Sequence, residues 1–292
     1  MNSRKPTASL LLMAGLLAAG LACAATLSQQ VQGVPKEAEQ STVWRYDTIV
    51  MPWGEMRIDS VRVSVGSESG TCREFVAAEM DSTQRYSTLT DADFRKAAEE
   101  LGVEVAAIKA VVRIEAGTKM EGFWAPGVPV INFDRSMYNK SRAPRSVKAS
   151  SSEKVPDGIK STYGRREWSQ LVAARKVNLD KANMGTFWGM FQIGGFNYKL
   201  CGCSSVQEFV DRMSYSEFEQ LELFCNFIRN SGMLDALKAK NWSSFARKYN
   251  GPSYARRGYH TRMASEYKKF KAQEQKAEQQ IEQQQEQQEE SK

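Results

Sequence analysis

The sequence predicts an α+β fold, predominantly helical, with a small β-hairpin element and a small β-rich N-terminal extension ahead of it. Three observations predict it. Apolar residues recur at helical spacing through most of residues 90–249. Capping residues open several of these runs and glycines close them. Alternating patterns are confined to residues 43–65 and 122–133.

Residues 1–24 are processing signal rather than fold. Arg4 and Lys5 precede a short apolar run at 10–21, and Ala22-Cys23-Ala24 supplies small residues at the cleavage positions. The run is shorter than the ~20 residues of a spanning helix, so it reads as a cleaved export signal. The chain is therefore expected in the periplasm or outside the cell, with no transmembrane segment. A lipid anchor at Cys23 is the alternative, although Gly20-Leu21-Ala22-Cys23 lacks the branched residue that usually stands three places before a lipidated cysteine. Residues 25–41 are polar linker. In 42–88, Trp44, Tyr46, Thr48 and Val50 share one face, as do Val61, Val63 and Val65, with Pro52-Trp53-Gly54 as the turn. Trp53 is assigned to packing at that turn, with an exposed ring touching sugar as the alternative.

The main domain is expected over 89–270. Thr90 and Asp93 form a capping box ahead of Phe94, Ala97, Ala98 and Leu101, and Gly102 ends the helix. A second helix covers 104–116 and stops at Gly117. Residues 122–124 and 128–133 flank Ala125-Pro126-Gly127 as a hairpin, and the basic, serine-rich stretch 139–162 reads as a long surface loop. Helical spacing returns at Trp168, Leu171, Val172 and Arg175, then at 206–213, 216–228, 233–239 and 242–249. The Gln/Glu-rich tail, 271–292, is expected to be disordered or a frayed solvated helix.

Composition narrows the chemistry. The 292 residues are 41% hydrophobic and 25% charged, which fits one or two globular domains. The single histidine, His260, leaves little for a zinc site or a Ser-His-Asp arrangement, and neither HExxH nor paired CxxC occurs. No GxGxxG or GxxxxGK[ST] is present, so nucleotide chemistry is also set aside. No metal and no cofactor are expected, which leaves carboxylates. The net charge is +6, and the acidic tail, with three Lys and six Glu, makes the remaining body more basic still. In an exported chain that surplus favours cell-wall material or a membrane surface over nucleic acid. Beyond Cys23 stand Cys72, Cys201, Cys203 and Cys225, an even number compatible with disulfides. Cys201 and Cys203 are too close in sequence to bridge each other without strain. Cys225 is expected to pair with Cys201 or Cys203.

One carboxylate stands out. Ile108, Val111, Val112 and Glu115 occupy positions i, i+3, i+4 and i+7 of one helical face. A glutamate thus sits where the helix buries its aliphatic side chains. Desolvation raises a carboxyl pKa, and a neutral carboxyl near working pH is what a general acid needs. Asp134 lies 19 residues on, at the end of the inferred hairpin. A helix end and a hairpin end could flank a glycosidic bond with two carboxyl groups; a helix-end glutamate turned to the surface and an aspartate paired with Arg135 are the plainer readings.

Glu115, Trp188-Gly189-Met190-Phe191-Gln192-Ile193 and Lys248-Tyr249-Asn250-Gly251-Pro252 occur in an order that resembles the lysozyme-like superfamily of goose-type lysozymes and soluble lytic transglycosylases. Residues 89–270 more closely resemble the N-acetylmuramidase family of phage endolysins and bacterial wall hydrolases. The matching segments are Pro129-Val130-Ile131-Asn132-Phe133-Asp134-Arg135, Gly195-Phe196-Asn197-Tyr198, Phe245-Ala246-Arg247 and Tyr254. The resemblance implies a lysozyme-like fold with a cleft for peptidoglycan strands. It also implies a β-1,4 glycosidase acting between N-acetylmuramic acid and N-acetylglucosamine, with Glu115 as general acid. Asp134 is the secondary catalytic candidate, and Gln192, Tyr249, Asn250 and Trp188 are the substrate-binding candidates. A lytic transglycosylase acting on the same bond and an inactive wall-binding module are the alternatives. The chain departs from the family pattern at three places. Phe133-Asp134-Arg135-Ser136 stands for Phe-Glu-Arg-His, Phe187 for a Ser, and Gly194 for a Met.

Overall fold

The computed structural model describes residues 41–54, 56–65, 86–143 and 147–290; the expected export signal, residues 25–40 of the expected linker, Cys23 and Cys72 lie outside them. Strands β1 (Ser41–Val50) and β2 (Met56–Val65) pair antiparallel, from Ser41 opposite Val65 to Val50 opposite Met56. This is the hairpin expected from the alternation. Its turn inserts Met51 and Trp53 into the core, where Trp53 is fully buried with its ring 5.3 Å from that of Trp168. The hairpin turn therefore belongs to the same apolar core as the helices.

Helix α1 (Asp91–Leu101) begins at the expected capping box. The Thr90 hydroxyl accepts from the Asp93 N–H, and the Asp93 carboxylate accepts from the Thr90 N–H. It ends at Gly102, whose φ of 63° is the left-handed cap that glycine adopts without a Cβ penalty. Helix α2 (Val105–Glu115) buries Ile108, Val111 and Val112 completely, as the periodicity predicts.

The segment 128–133 does not form one hairpin arm. It pairs as β4 (Val128–Pro129) with β3 (Phe123–Ala125), then turns at Val130. The Val130 N–H donates to the Gly122 carbonyl, while its own carbonyl accepts from the Gly189 N–H. β5 (Ile131–Phe133) then opens a different sheet with β6 (Thr186–Trp188) and β7 (Ile193–Gly194). Strands of two or three residues are too short for alternation to show. Two short helices went unread for the same reason, α3 (Arg135–Lys140) and α5 (Leu179–Met184).

Helix α4 (Thr162–Arg175) packs against β5 of this sheet. The preceding loop is not a surface loop throughout, because Glu153 and Ile159 are buried. Helices α6 (Val206–Met213), α7 (Glu217–Asn230), α8 (Leu234–Lys238) and α9 (Trp242–Tyr249) follow within two residues of expectation. In α7, Glu217 and Gln220 are buried and tie distant segments together. Glu217 accepts from the N–H groups of Leu89 and Gly122, and Gln220 Oε1 accepts from that of Met190.

Helix α10 (Tyr259–Glu290) runs without a break through the expected domain end at 270. It packs along α2, where Glu104, at the start of α2, accepts from Lys240, Tyr267 and Lys271. The expected tail is thus the exposed end of a helix whose first turns belong to the core. Among the described residues, no helix is long and apolar enough to cross a membrane.

The expected bridge from Cys225 to Cys201 or Cys203 is not formed. All three stand as buried free thiols, and desolvation pushes Cys203 up to about 11 and Cys225 up to about 12.

Candidate active site

A cleft of about 640 Å³ opens between the end of α2, the β5–β6–β7 sheet and the end of α9. Glu115, Asp134, Gln192, Tyr249 and Asn250 all line it, so five of the six sequence candidates come together.

Glu115 is the last residue of α2, and it continues the buried face of Ile108, Val111 and Val112 into the cleft. Its Oε1 accepts a 2.8 Å hydrogen bond from Asn250 Nδ2. Asn250 caps the C-terminus of α9, its N–H donating to the Ala246 carbonyl. Its buried Oδ1 has no protein hydrogen-bond partner. Burial pushes the Glu115 carboxyl up to about 7, against the opposing pulls of the Asn250 amide and the Arg262 charge. Desolvation therefore dominates, the condition under which a carboxyl group stays protonated near neutrality.

Tyr249, next to Asn250, also lines the cleft. Its hydroxyl donates to the Phe191 carbonyl at 2.6 Å, and its ring stacks on Phe245 at 5.3 Å. Gln192 follows at φ 47°, a left-handed conformation uncommon for a residue with a Cβ. Its Nε2 donates to the Gly189 carbonyl at 2.8 Å, which closes the β6–β7 turn. Tyr249 and Gln192 thus fix the same turn from two sides.

Asp134 is the N-cap of α3, its Oδ1 accepting from the Met137 N–H at 2.9 Å. It lines the cleft, but one of its oxygens is engaged in holding the helix.

Trp188 does not reach the cleft. It is fully buried, its Nε1 donates to the Asn183 carbonyl, and its ring packs edge-on against Trp168. The reason is strand parity: successive side chains of β6 point to opposite faces, so Phe187 lines the cleft and Trp188 enters the core. Sequence reasoning missed Phe187, Asn132, Phe196, Asn197, Arg257 and Tyr259, which also line the cleft. The register of β6 would have revealed Phe187, yet three residues do not display it.

The model of a family described as N-acetylmuramidase matches residues 104–271, from the residue before α2 to the second turn from which α10 holds Glu104. Among solved structures, the chain is similar to the crystal structure of a Burkholderia AP3 phage endolysin. The two are 35% identical with a TM-score of 0.50, over 63% of this chain and 71% of the other. No curated protein matches.

Proposed function

As a member of the N-acetylmuramidase family, the chain is a peptidoglycan hydrolase, and we propose that it cleaves the β-1,4 bond between N-acetylmuramic acid and N-acetylglucosamine with Glu115 as general acid. The observation that carries this reading is a carboxyl group raised to about 7 in the wall of a polar cleft. Protonated Glu115 donates its proton to the leaving 4-oxygen of N-acetylglucosamine as the C1–O4 bond breaks. Water then adds to C1 and gives up a proton, and Glu115 is reprotonated from solvent. Asn250 positions the carboxyl through Oε1, leaving the other oxygen for the glycosidic bond. Asp134 stands where it can orient that water or support positive charge developing at C1. The signal-like segment at 1–24 supports action at the periplasmic or external wall.

Clearing of purified sacculi by the mature chain tests the reading. Absence of clearing across pH and salt would leave only a wall-binding module. The helix-capping engagement of Asp134 favours one rival enough to test it. A lytic transglycosylase uses a single carboxyl as acid then base, with the muramic 6-hydroxyl replacing water. Mass spectrometry of the released muropeptides decides: reducing ends for hydrolysis, 1,6-anhydro ends for transglycosylation.

The pH profile follows from the acid. Glu115 must be protonated to act, so the clearing rate should be full on the acidic side and fall as pH rises through about 7. A rate that climbs from pH 6 to pH 8 would exclude Glu115 as the acid.

A further inference from the structure

We propose that Phe187 and Phe196 form a saccharide-binding shelf in the cleft, made possible by the absence of a side chain at Gly194. This rests on the glycosidase reading and adds a subsite to it. In the three-stranded sheet Asn132 lies opposite Phe187, and Phe187 opposite Gly194. This cross-strand row faces the cleft, while the neighbouring row of Ile131, Trp188 and Ile193 is buried, with only Ile193 of the three also bordering the cleft. Phe196, in the 3-10 turn Gly195–Asn197, folds back over Gly194. Its ring meets that of Phe187 edge-on, with centroids 6.1 Å apart and planes at 88°.

Gly194 is what lets the ring lie there. A Cβ on it would run into Phe196, and the three nearest atoms are all of that ring. The backbone at Gly194 has φ −64°, which any residue adopts, so the requirement is for space rather than conformation. Phe196 remains 37% exposed, one of the few large apolar side chains among the described residues that does. The two rings therefore present an open apolar surface inside a cleft that is also lined by Asn132, Gln192 and Asn197. A pyranose ring matches that pairing. One face of the sugar is C–H and apolar, suited to an aromatic face, and its hydroxyl and acetamido edges suit the carboxamides.

The test is titration of full-length Glu115→Gln chain with soluble glycan strands stripped of stem peptides. Phe196→Ala should weaken binding about tenfold, the loss of one ring's apolar contact, and Phe196→Trp should restore most of it. Gly194→Ala should weaken binding similarly when Phe196 is present and add nothing once Phe196 is Ala, because its effect acts through that ring. Equal binding by Phe196→Ala, or a penalty from Gly194→Ala that persists without Phe196, would overturn the shelf. So would a loss seen only with peptide-bearing strands, which would make the stem peptide the occupant. Sacculus clearing by the unsubstituted chain is read separately, so a failed shelf and a failed glycosidase reading give different results.

Discussion

Glu115→Gln is expected to lower the sacculus-clearing rate by roughly 10²–10⁴-fold, the usual contribution of a general acid, while circular dichroism remains that of the parent. The amide is close to isosteric, and its carbonyl oxygen can still accept from Asn250 Nδ2, but it has no proton to give. Stability should move the other way. A carboxyl whose folded pKa is about 7 rather than 4.5 binds more protons in the folded than in the unfolded chain between those values. Stability therefore falls as pH rises from about 4.5 to about 7, and the cost is complete above that. At about 1.4 kcal/mol per tenfold change in acidity, ionised Glu115 costs the fold roughly 3–4 kcal/mol. The Gln variant should accordingly melt later than the parent at pH 8 and with little difference at pH 4. Asp134→Asn should cost much less activity, because asparagine caps a helix as well as aspartate does. If the Asn variant loses activity and the Gln variant keeps it, the acid is Asp134. If both keep it, the carboxylate mechanism at this end of α2 fails.

The face that carries Glu115 was legible because α2 spans three turns and its signal is local. Ile108, Val111 and Val112 repeat at helical spacing, and Glu115 sits on the same face whatever the rest of the chain does. Capped helices such as α1, α6 and α9 share that property, since their start signals lie within a few residues of the elements they govern. What could not be read is what depends on distant pairing. Trp188 and Phe187 are adjacent in a three-residue strand, and only the pairing of β6 with β5 and β7 decides which of them faces the cleft. Asn132 joins the site through the same pairing, and Phe196 through the turn that follows β7. The sequence order of motifs pointed to Gln192, Tyr249 and Asn250, but not to how the first two serve, by fixing a turn. The buried environment of Arg175 was equally invisible, since its partners come from an irregular loop, a short helix and the hairpin turn.

Arg175→Met is expected to destabilise the fold by roughly 3–5 kcal/mol, the cost of stranding one member of a buried ion pair. Arg175 is the last residue of α4 and is 1% exposed. Its Nη1 donates to Glu153 Oε1 at 2.8 Å and its Nε to Asn183 Oδ1 at 2.8 Å. Its guanidinium also lies 5.0, 5.6 and 5.5 Å from the ring centroids of Trp53, Trp168 and Trp188. One side chain thus joins the hairpin turn, the loop after α3, α4, α5 and β6. Methionine fills much of the same volume against the three indoles, so the transfer and cavity costs are held small. What it removes is the partner of Glu153, which is 5% exposed and whose Oε2 already lacks a hydrogen bond. Denaturant midpoints at pH 7 give the comparison: the single variant should fall well below the parent, and adding Glu153→Gln should recover a substantial part of the loss by removing the stranded charge. A single variant within about 1 kcal/mol of the parent, the range of ordinary tolerated swaps, would mean that the arginine's charge contributes nothing net and that its packing alone matters. Below its unfolding transition the variant should clear sacculi at nearly the parental rate. Trp188 is held by the core on the far side of β6 from Phe187, and the cleft does not depend on the arginine's charge.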